Sequence, residues 1–247
     1  MTYCIGLNLE EGLLFASDSR TNAGVDDVRR AGKMRVFAID GDRVIVTLSA
    51  GNLSVTQNAL NLLEHRANHG DGVGLYKAQS MFEVATLVGD AMREIRKRDE
   101  PYLRDRGIDA SASFIVGGQV KGEPPRLFLV YLEGNFIESN PDTPWFQIGE
   151  IKFGKPILDR VVTPQSSLEE ATKCALVSFD STMRSNLSVG PPIDLLLYRR
   201  DSLQVSQRLR LEDDDAYLNQ VRAHWNDSLR NALQTLPSPA WLPAGPA

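Results

Sequence analysis

The sequence predicts a layered α+β protein in which two antiparallel sheets pack face to face and helices cover them. Short apolar runs separated by turn residues occur in groups, which is typical of β-hairpins. Between these groups lie pairs of segments whose apolar residues recur at helical spacing. The resulting order is strands, two helices, strands, two helices, strands and a helix, with no linker or internal repeat. Antiparallel strand groups that alternate with helix pairs favour two stacked sheets.

Two hairpins come first. Apolar runs over residues 3–9 and 13–20 flank a Glu10-Glu11-Gly12 turn. A strand follows at about 34–37, and an Asp40-Gly41 turn connects the next hairpin. Its outgoing strand covers 44–49. Small residues over 49–52 then lead into a helix with a periodic apolar face.

The remaining elements follow from the same patterns. A second helix is predicted over 81–106, and strands follow at 112–117, 126–131 and 135–138. Two helices then cover 155–162 and 168–186, strands cover 193–199 and 203–211, and a final helix covers 213–236. His65 and His69 share a helix face, but no third ligand lies close in sequence, so neither a metal nor another cofactor is predicted.

Length and composition indicate one large domain. The chain has 247 residues, 42% of them apolar, and we predict a single domain over 1–236. The tail over 237–247 is Pro-rich and is expected to be flexible. A net charge of −5 with mixed signs provides no basic surface for nucleic acid. No apolar run has the length of a membrane span, and no secretory signal is recognisable, so a cytoplasmic protein is predicted.

Thr2 is the first candidate for chemistry. Initiator Met is generally removed when a small residue follows, which would leave Thr2 with a hydroxyl and a free α-amine. A hydroxyl needs a base beside it to act as a nucleophile. The α-amine has an ordinary pKa near ~8, so it can serve as that base close to neutral pH. A mature N-terminal Thr can therefore supply both groups.

Two charged residues follow at strand ends. Asp18 closes the second apolar run within Ser17-Asp18-Ser19-Arg20, and Lys33 directly precedes the next strand. Together with Thr2, they resemble the start of a proteasome-type β-subunit, an N-terminal nucleophile hydrolase. Within that family, the sequence is most similar to the bacterial ancestral β-subunit (Anbu) branch, a relative of HslV. The resemblance implies a four-layer αββα sandwich with the nucleophile at the open edge between the sheets.

The same resemblance implies a catalytic group of Thr2, Asp18 and Lys33. Lys33 would lower the local pKa by its charge or relay the proton, and Asp18 would keep Lys33 ordered and charged. The strand-to-helix turn would supply the oxyanion-hole amide and the floor of the substrate pocket. We assign this function to the 47–51 stretch, with Thr47, Ala50 and Gly51 as candidates.

Three further positions are expected to support the nucleophile. Family members carry a Ser after a Gly at the place where this chain has Gly149-Glu150. Two interpretations of Glu150 stay open: its carboxylate binds the protonated amine, or it points away into a subunit contact. Asp180 and Ser185 resemble the Asp and the later Ser that support the active-site Thr. Capping of the helix end and of the turn before residue 193 is the alternative explanation for both.

The predicted function is that of a threonine-type peptidase acting on peptides or unfolded proteins. One alternative is an amidase of the same fold that acts on a small amide or γ-glutamyl compound, because fold alone does not decide function. A second is a scaffold assembly with little or no activity, which the unusual Glu150 favours. The resemblance also implies a homo-oligomer, as a ring or an open helical ring. The sequence has no P-loop motif, so unfolding of a protein substrate would need a separate ATPase partner.

Overall fold

The computed structural model describes residues 2–22, 28–69 and 74–241. The strands in chain order are β1 (Tyr3–Leu9), β2 (Gly12–Asp18), β3 (Arg20–Asn22), β4 (Val28–Arg30), β5 (Met34–Ile39), β6 (Arg43–Gly51), β7 (Ala112–Val120), β8 (Arg126–Val130), β9 (Phe136–Glu138), β10 (Trp145–Gly149), β11 (Ile193–Arg199) and β12 (Gln207–Leu211). The helices are α1 (Leu53–His69), α2 (Met81–Asp105), α3 (Lys155–Val161), α4 (Leu168–Ser185) and α5 (Ala216–Gln234).

The strands form two five-stranded antiparallel sheets. The first sheet has the order β10-β1-β2-β11-β12, and the second has the order β5-β6-β7-β8-β9. β3 and β4 form a separate two-stranded ribbon. β1 and β2 lie in the interior of the first sheet, because β10 pairs with β1 and β11 pairs with β2. The N-terminal hairpin is therefore held on both sides.

Three apolar clusters separate four layers. The cluster between the sheets includes Cys4, Phe15, Val46, Ile115 and Leu196. A second cluster packs α1 and α2 on the outer face of the second sheet, and a third packs α3 and α4 on the outer face of the first. The two sheets and their helices thus form the predicted αββα sandwich, because a sheet that is apolar on both faces must be covered on both.

The structure differs from the predicted elements at several places. β3, β4 and β10 were not predicted as strands. The strand predicted over 203–211 begins only at Gln207, because Asp201 and Leu203 adopt positive φ angles of 62° and 46° in the preceding turn. The final helix begins at Ala216, where the Asp215 side chain accepts a hydrogen bond from the Leu218 N–H and caps it.

Within the described part of the chain, none of the helices combines the length and the apolar character that a bilayer crossing requires. Residues 237–241 follow α5 and are exposed. The rest of the predicted tail, 242–247, lies outside the described residues.

Candidate active site

Thr2 lies directly before β1 and is half-buried. Its carbonyl oxygen accepts a hydrogen bond of 2.7 Å from the Glu150 N–H, which continues the pairing of β1 with β10 by one residue. Met1, whose removal was predicted, lies outside the described residues. The backbone of the candidate nucleophile is therefore anchored from the β10 side.

Asp18 and Lys33 form a buried ion pair beside this backbone. The Lys33 Nζ lies 2.6 Å from the Asp18 Oδ1, and the two side chains are 5% and 0% exposed. The Asp18 Oδ1 also accepts a hydrogen bond of 2.9 Å from the Tyr3 N–H. The Lys33 Nζ donates a second hydrogen bond, of 2.7 Å, to the Arg20 carbonyl oxygen. Asp18 thus connects Lys33 to the residue that follows Thr2.

The electrostatics of the pair follow from its burial. Desolvation raises the pKa of Asp18, while the Lys33 ammonium and the Tyr3 N–H act in the opposite direction. Among the described residues, the second carboxylate oxygen of Asp18 has no hydrogen-bond partner. Burial also raises the pKa of the Cys4 thiol, so this neighbouring side chain stays protonated and is no rival nucleophile.

The end of β6 approaches the pair from the second sheet. The Ser49 N–H donates a 3.0 Å hydrogen bond to the Lys33 carbonyl oxygen, and the Asn52 N–H donates a 2.7 Å bond to the Ser111 carbonyl oxygen on the other side of the strand. Since N–H groups alternate in direction along a strand, the Gly51 N–H points to the Lys33 side. β5 begins only at Met34, opposite Leu48, and so does not cover this position.

The three predicted oxyanion candidates therefore differ in position. Thr47 lies inside β6, opposite both Arg35 of β5 and Val116 of β7, so its amide belongs to the sheet. The Ala50 N–H points toward β7 by the same alternation. Gly51 has φ +104°, and a Cβ there would lie 2.2 Å from the Ser111 carbonyl oxygen. The geometry favours the Gly51 N–H as the outward-facing donor.

Gly149 permits the close approach of β10 to Thr2. Its φ is +87°, and a Cβ at this position would lie 2.0 Å from the Thr2 carbonyl oxygen. Glu150, which follows it, is 6% exposed. Its carboxylate accepts hydrogen bonds from the Lys152 N–H at 3.0 Å and from the Asn186 side-chain amide at 2.9 Å. Sequence reasoning did not identify Asn186 as a functional residue.

Asp180 and Ser185 lie on α4, but the contacts of Asp180 lead toward α5. Its Oδ1 accepts a 3.0 Å hydrogen bond from the Arg222 Nε, and its Oδ2 lies 3.9 Å from the Arg184 Nε. Ser178 of α4 instead forms a hydrogen bond with the first strand, since its hydroxyl lies 2.6 Å from the Tyr3 phenol oxygen. Ser185 is exposed at the helix end. The supporting functions of Asp180 and Ser185 stay predictions.

These contacts indicate that Asp180 anchors α5 on α4. Asp180→Asn is therefore expected to lower the free energy of unfolding by about 1–2 kcal/mol, since the negative charge that strengthens the hydrogen bond from Arg222 is lost. For a chain of this size, the melting temperature would fall by about 2–8 °C. Arg222→Met should have a similar effect in the same thermal scan. Reaction of Thr2 with a covalent probe should be unchanged in both variants. If the reaction were lost in Asp180→Asn but not in Arg222→Met, the prediction that Asp180 supports Thr2 would be correct.

A second cluster of polar side chains lies along the first sheet, and the sequence did not predict it. Arg210 on β12 contacts the Asp194 carboxylate at 3.2 Å and the Ser19 hydroxyl at 3.3 Å. The Ser19 hydroxyl donates a 2.6 Å hydrogen bond to the Pro192 carbonyl oxygen. Desolvation raises the pKa of Asp194, and Arg210 opposes that effect. An acidic residue inside the apolar run of β11 was the available sequence signal.

Comparison with solved structures gives similar chains over almost the full length. Anbu (ancestral β-subunit) from Yersinia bercovieri is 44% identical, with 97% of this chain and 99% of that chain covered and a TM-score of 0.92. The Anbu complex of Pseudomonas aeruginosa, described as a helical assembly, is 48% identical, with 97% and 98% covered and a TM-score of 0.93. Anbu from Hyphomicrobium sp. strain MC1 is 47% identical, with 96% and 98% covered and a TM-score of 0.87.

Curated sequences give more distant relatives. Proteasome subunit beta 2 of Pyrococcus furiosus is 25% identical over 213 residues, which cover 85% of this chain and 93% of that protein. Proteasome subunit beta 2 of Pyrobaculum calidifontis is 26% identical over 194 residues, with 78% and 86% covered. No family model matches the chain.

Proposed function

Because this chain belongs to the proteasome-type N-terminal nucleophile family, in its Anbu branch, we propose that it is a threonine-type peptidase whose nucleophile is Thr2 after removal of Met1. The observation that carries this proposal is the buried Asp18–Lys33 pair, which is hydrogen-bonded to the backbone directly after Thr2. A buried cation beside the N-terminus favours the neutral form of the α-amine, and that form is the one that can accept a proton.

The proposed reaction uses groups within reach of this N-terminus. The Thr2 hydroxyl oxygen attacks the peptide carbonyl carbon while the α-amine takes the hydroxyl proton. The Gly51 N–H donates to the oxyanion that forms, and the Lys33 ammonium stabilises the negative charge. The amine then protonates the leaving nitrogen, the C–N bond breaks, and an ester to Thr2 remains. Water, activated by the same amine, hydrolyses the ester and regenerates the hydroxyl.

The alternative of a non-catalytic scaffold is favoured by one observation. Glu150 places a buried carboxylate beside the Thr2 backbone, at a position where the resemblance to the proteasome-type family implies a Ser. An amidase acting on a small amide would use the same Thr2 chemistry, and it would differ from a peptidase in leaving extended peptides uncleaved.

The test is the intact mass of the purified protein before and after reaction with a Thr-directed β-lactone or epoxyketone probe. We expect the loss of Met1 and the addition of one probe molecule per chain. Thr2→Ala should remove the labelling and leave the melting temperature within a few degrees of the wild-type value. Retention of Met1 would refute both enzyme functions, because Thr2 then has no free amine. Cleavage of a peptide library would separate the peptidase from the amidase.

We propose that the protein acts as a homo-oligomer on peptides or unfolded proteins, with a separate ATPase partner for folded substrates. The support is its 48% identity to the helically assembled Anbu complex of Pseudomonas aeruginosa. Sedimentation velocity at micromolar concentration should show species much larger than the 27.3 kDa chain. A monomer at all concentrations would contradict this part of the proposal.

A further inference from the structure

Glu150 brings a carboxylate into the immediate surroundings of Thr2. Its backbone N–H donates to the Thr2 carbonyl oxygen at 2.7 Å. Residues opposite one another in an antiparallel pair have Cα atoms about 5 Å apart, so the Glu150 side chain can reach the amino group of Thr2. The side chain is 6% exposed, which means that it points into the protein and not into bulk water.

Among residues 2–22, 28–69 and 74–241, the groups that donate to this carboxylate do not neutralise it. They are the backbone N–H of Lys152 and the side-chain amide of Asn186, which carry no charge. Asn186 is itself held, because its amide oxygen accepts a 3.0 Å hydrogen bond from the Ser188 N–H. An ionised carboxylate offers about four lone-pair positions, and burial of its charge without a cation is costly. The carboxylate is thus oriented by neutral donors and suited to a cationic partner.

We propose that Glu150, oriented by Asn186, binds the α-ammonium group that Thr2 acquires when Met1 is removed. The inference rests on the proposed function, because it requires that Met1 is removed and that Thr2 has a free α-amine. Glu150 is then a positioning residue: it fixes the direction of the amine, and it stabilises the protonated form that cannot act as a base.

Charged groups from several elements act on the same amine. Asp18 on β2 and Glu150 after β10 favour the ammonium form, whereas Lys33 before β5 favours the neutral amine. Asp194 on β11 and Arg210 on β12 form an ion pair farther along the sheet, so their opposite charges largely compensate. Removal of the Glu150 charge is therefore expected to lower the pKa of the amine.

The experiment measures that pKa directly, by NMR titration of the N-terminal residue in protein labelled with ¹³C-threonine. Wild type is compared with Glu150→Gln and Glu150→Ser, after mass spectrometry has established that Met1 is absent. The titration midpoint should fall by about one pH unit in both variants. Below the wild-type midpoint, the rate of probe labelling should then rise about tenfold, because the neutral fraction increases. Glu169→Gln is the matched control, because it removes an exposed carboxylate of α4 that pairs with Lys173, and it should not lower the midpoint.

Unchanged midpoints in both Glu150 variants would overturn the inference while leaving labelling, and so the proposed function, intact. The proposed function can also fail by itself. A shifted midpoint without labelling at any pH would support the contact between Glu150 and the amine and would refute the peptidase function. If Met1 is retained, Thr2 has no amine to titrate, and both proposals are wrong.

Discussion

Lys33→Met is expected to abolish labelling of Thr2 and to lower the free energy of unfolding by about 3–5 kcal/mol. The Lys33 and Asp18 side chains are almost fully buried and lie 2.6 Å apart, so the substitution leaves the Asp18 carboxylate without its cation. Removal of one partner of a buried pair is strongly destabilising for this reason. Chemical denaturation gives the stability, and probe labelling followed by intact mass gives the activity.

The double variant Asp18→Asn/Lys33→Met separates these two effects. With both charges removed, no buried charge stays unpaired, and the stability loss should be smaller than the sum of the two single losses. Labelling should stay absent, because the Lys33 charge is still missing. Additive stability losses would contradict the buried ion pair, and normal labelling of the double variant would contradict the proposed contribution of Lys33 to catalysis.

Gly149→Ala is expected to destabilise the site more than an ordinary glycine substitution does. Its φ of +87° is strained for Ala, and the added Cβ would lie 2.0 Å from the Thr2 carbonyl oxygen, so β10 must move away from the N-terminus. We expect a loss of roughly 3 kcal/mol or more, which corresponds to a fall in melting temperature of about 6–12 °C. Probe labelling should fall by at least about tenfold, since the backbone of the nucleophile is displaced.

Gly122→Ala is the matched control. Gly122 has a similar φ of +92°, but a Cβ there would meet no atom within 4 Å. It should show the conformational strain alone, about 1–2 kcal/mol, with normal labelling. Equal losses of stability and labelling in the two variants would show that contact with Thr2 does not explain the requirement for Gly149.

Much of the fold was predictable, because local apolar periodicity and turn residues decide where most helices and strands form. β10 was missed since residues 145–149 form a short run whose structure depends on pairing with β1, more than 130 residues earlier. The start of β12 was placed too early because positive φ angles at Asp201 and Leu203 are set by the surrounding turn, and neither residue type predicts them.

At the site, the chain alone shows which residue types are available: a Thr next to the initiator Met, an Asp and a Lys at strand ends, and a Glu after a Gly. Their distances, burial and partners are set by the folded arrangement. It directed Asp180 toward Arg222, left the Gly51 N–H facing the Lys33 side, and bonded Glu150 to Asn186. Strand pairing and sheet packing bring these groups together from distant parts of the chain, and the local sequence carries no measure of that proximity.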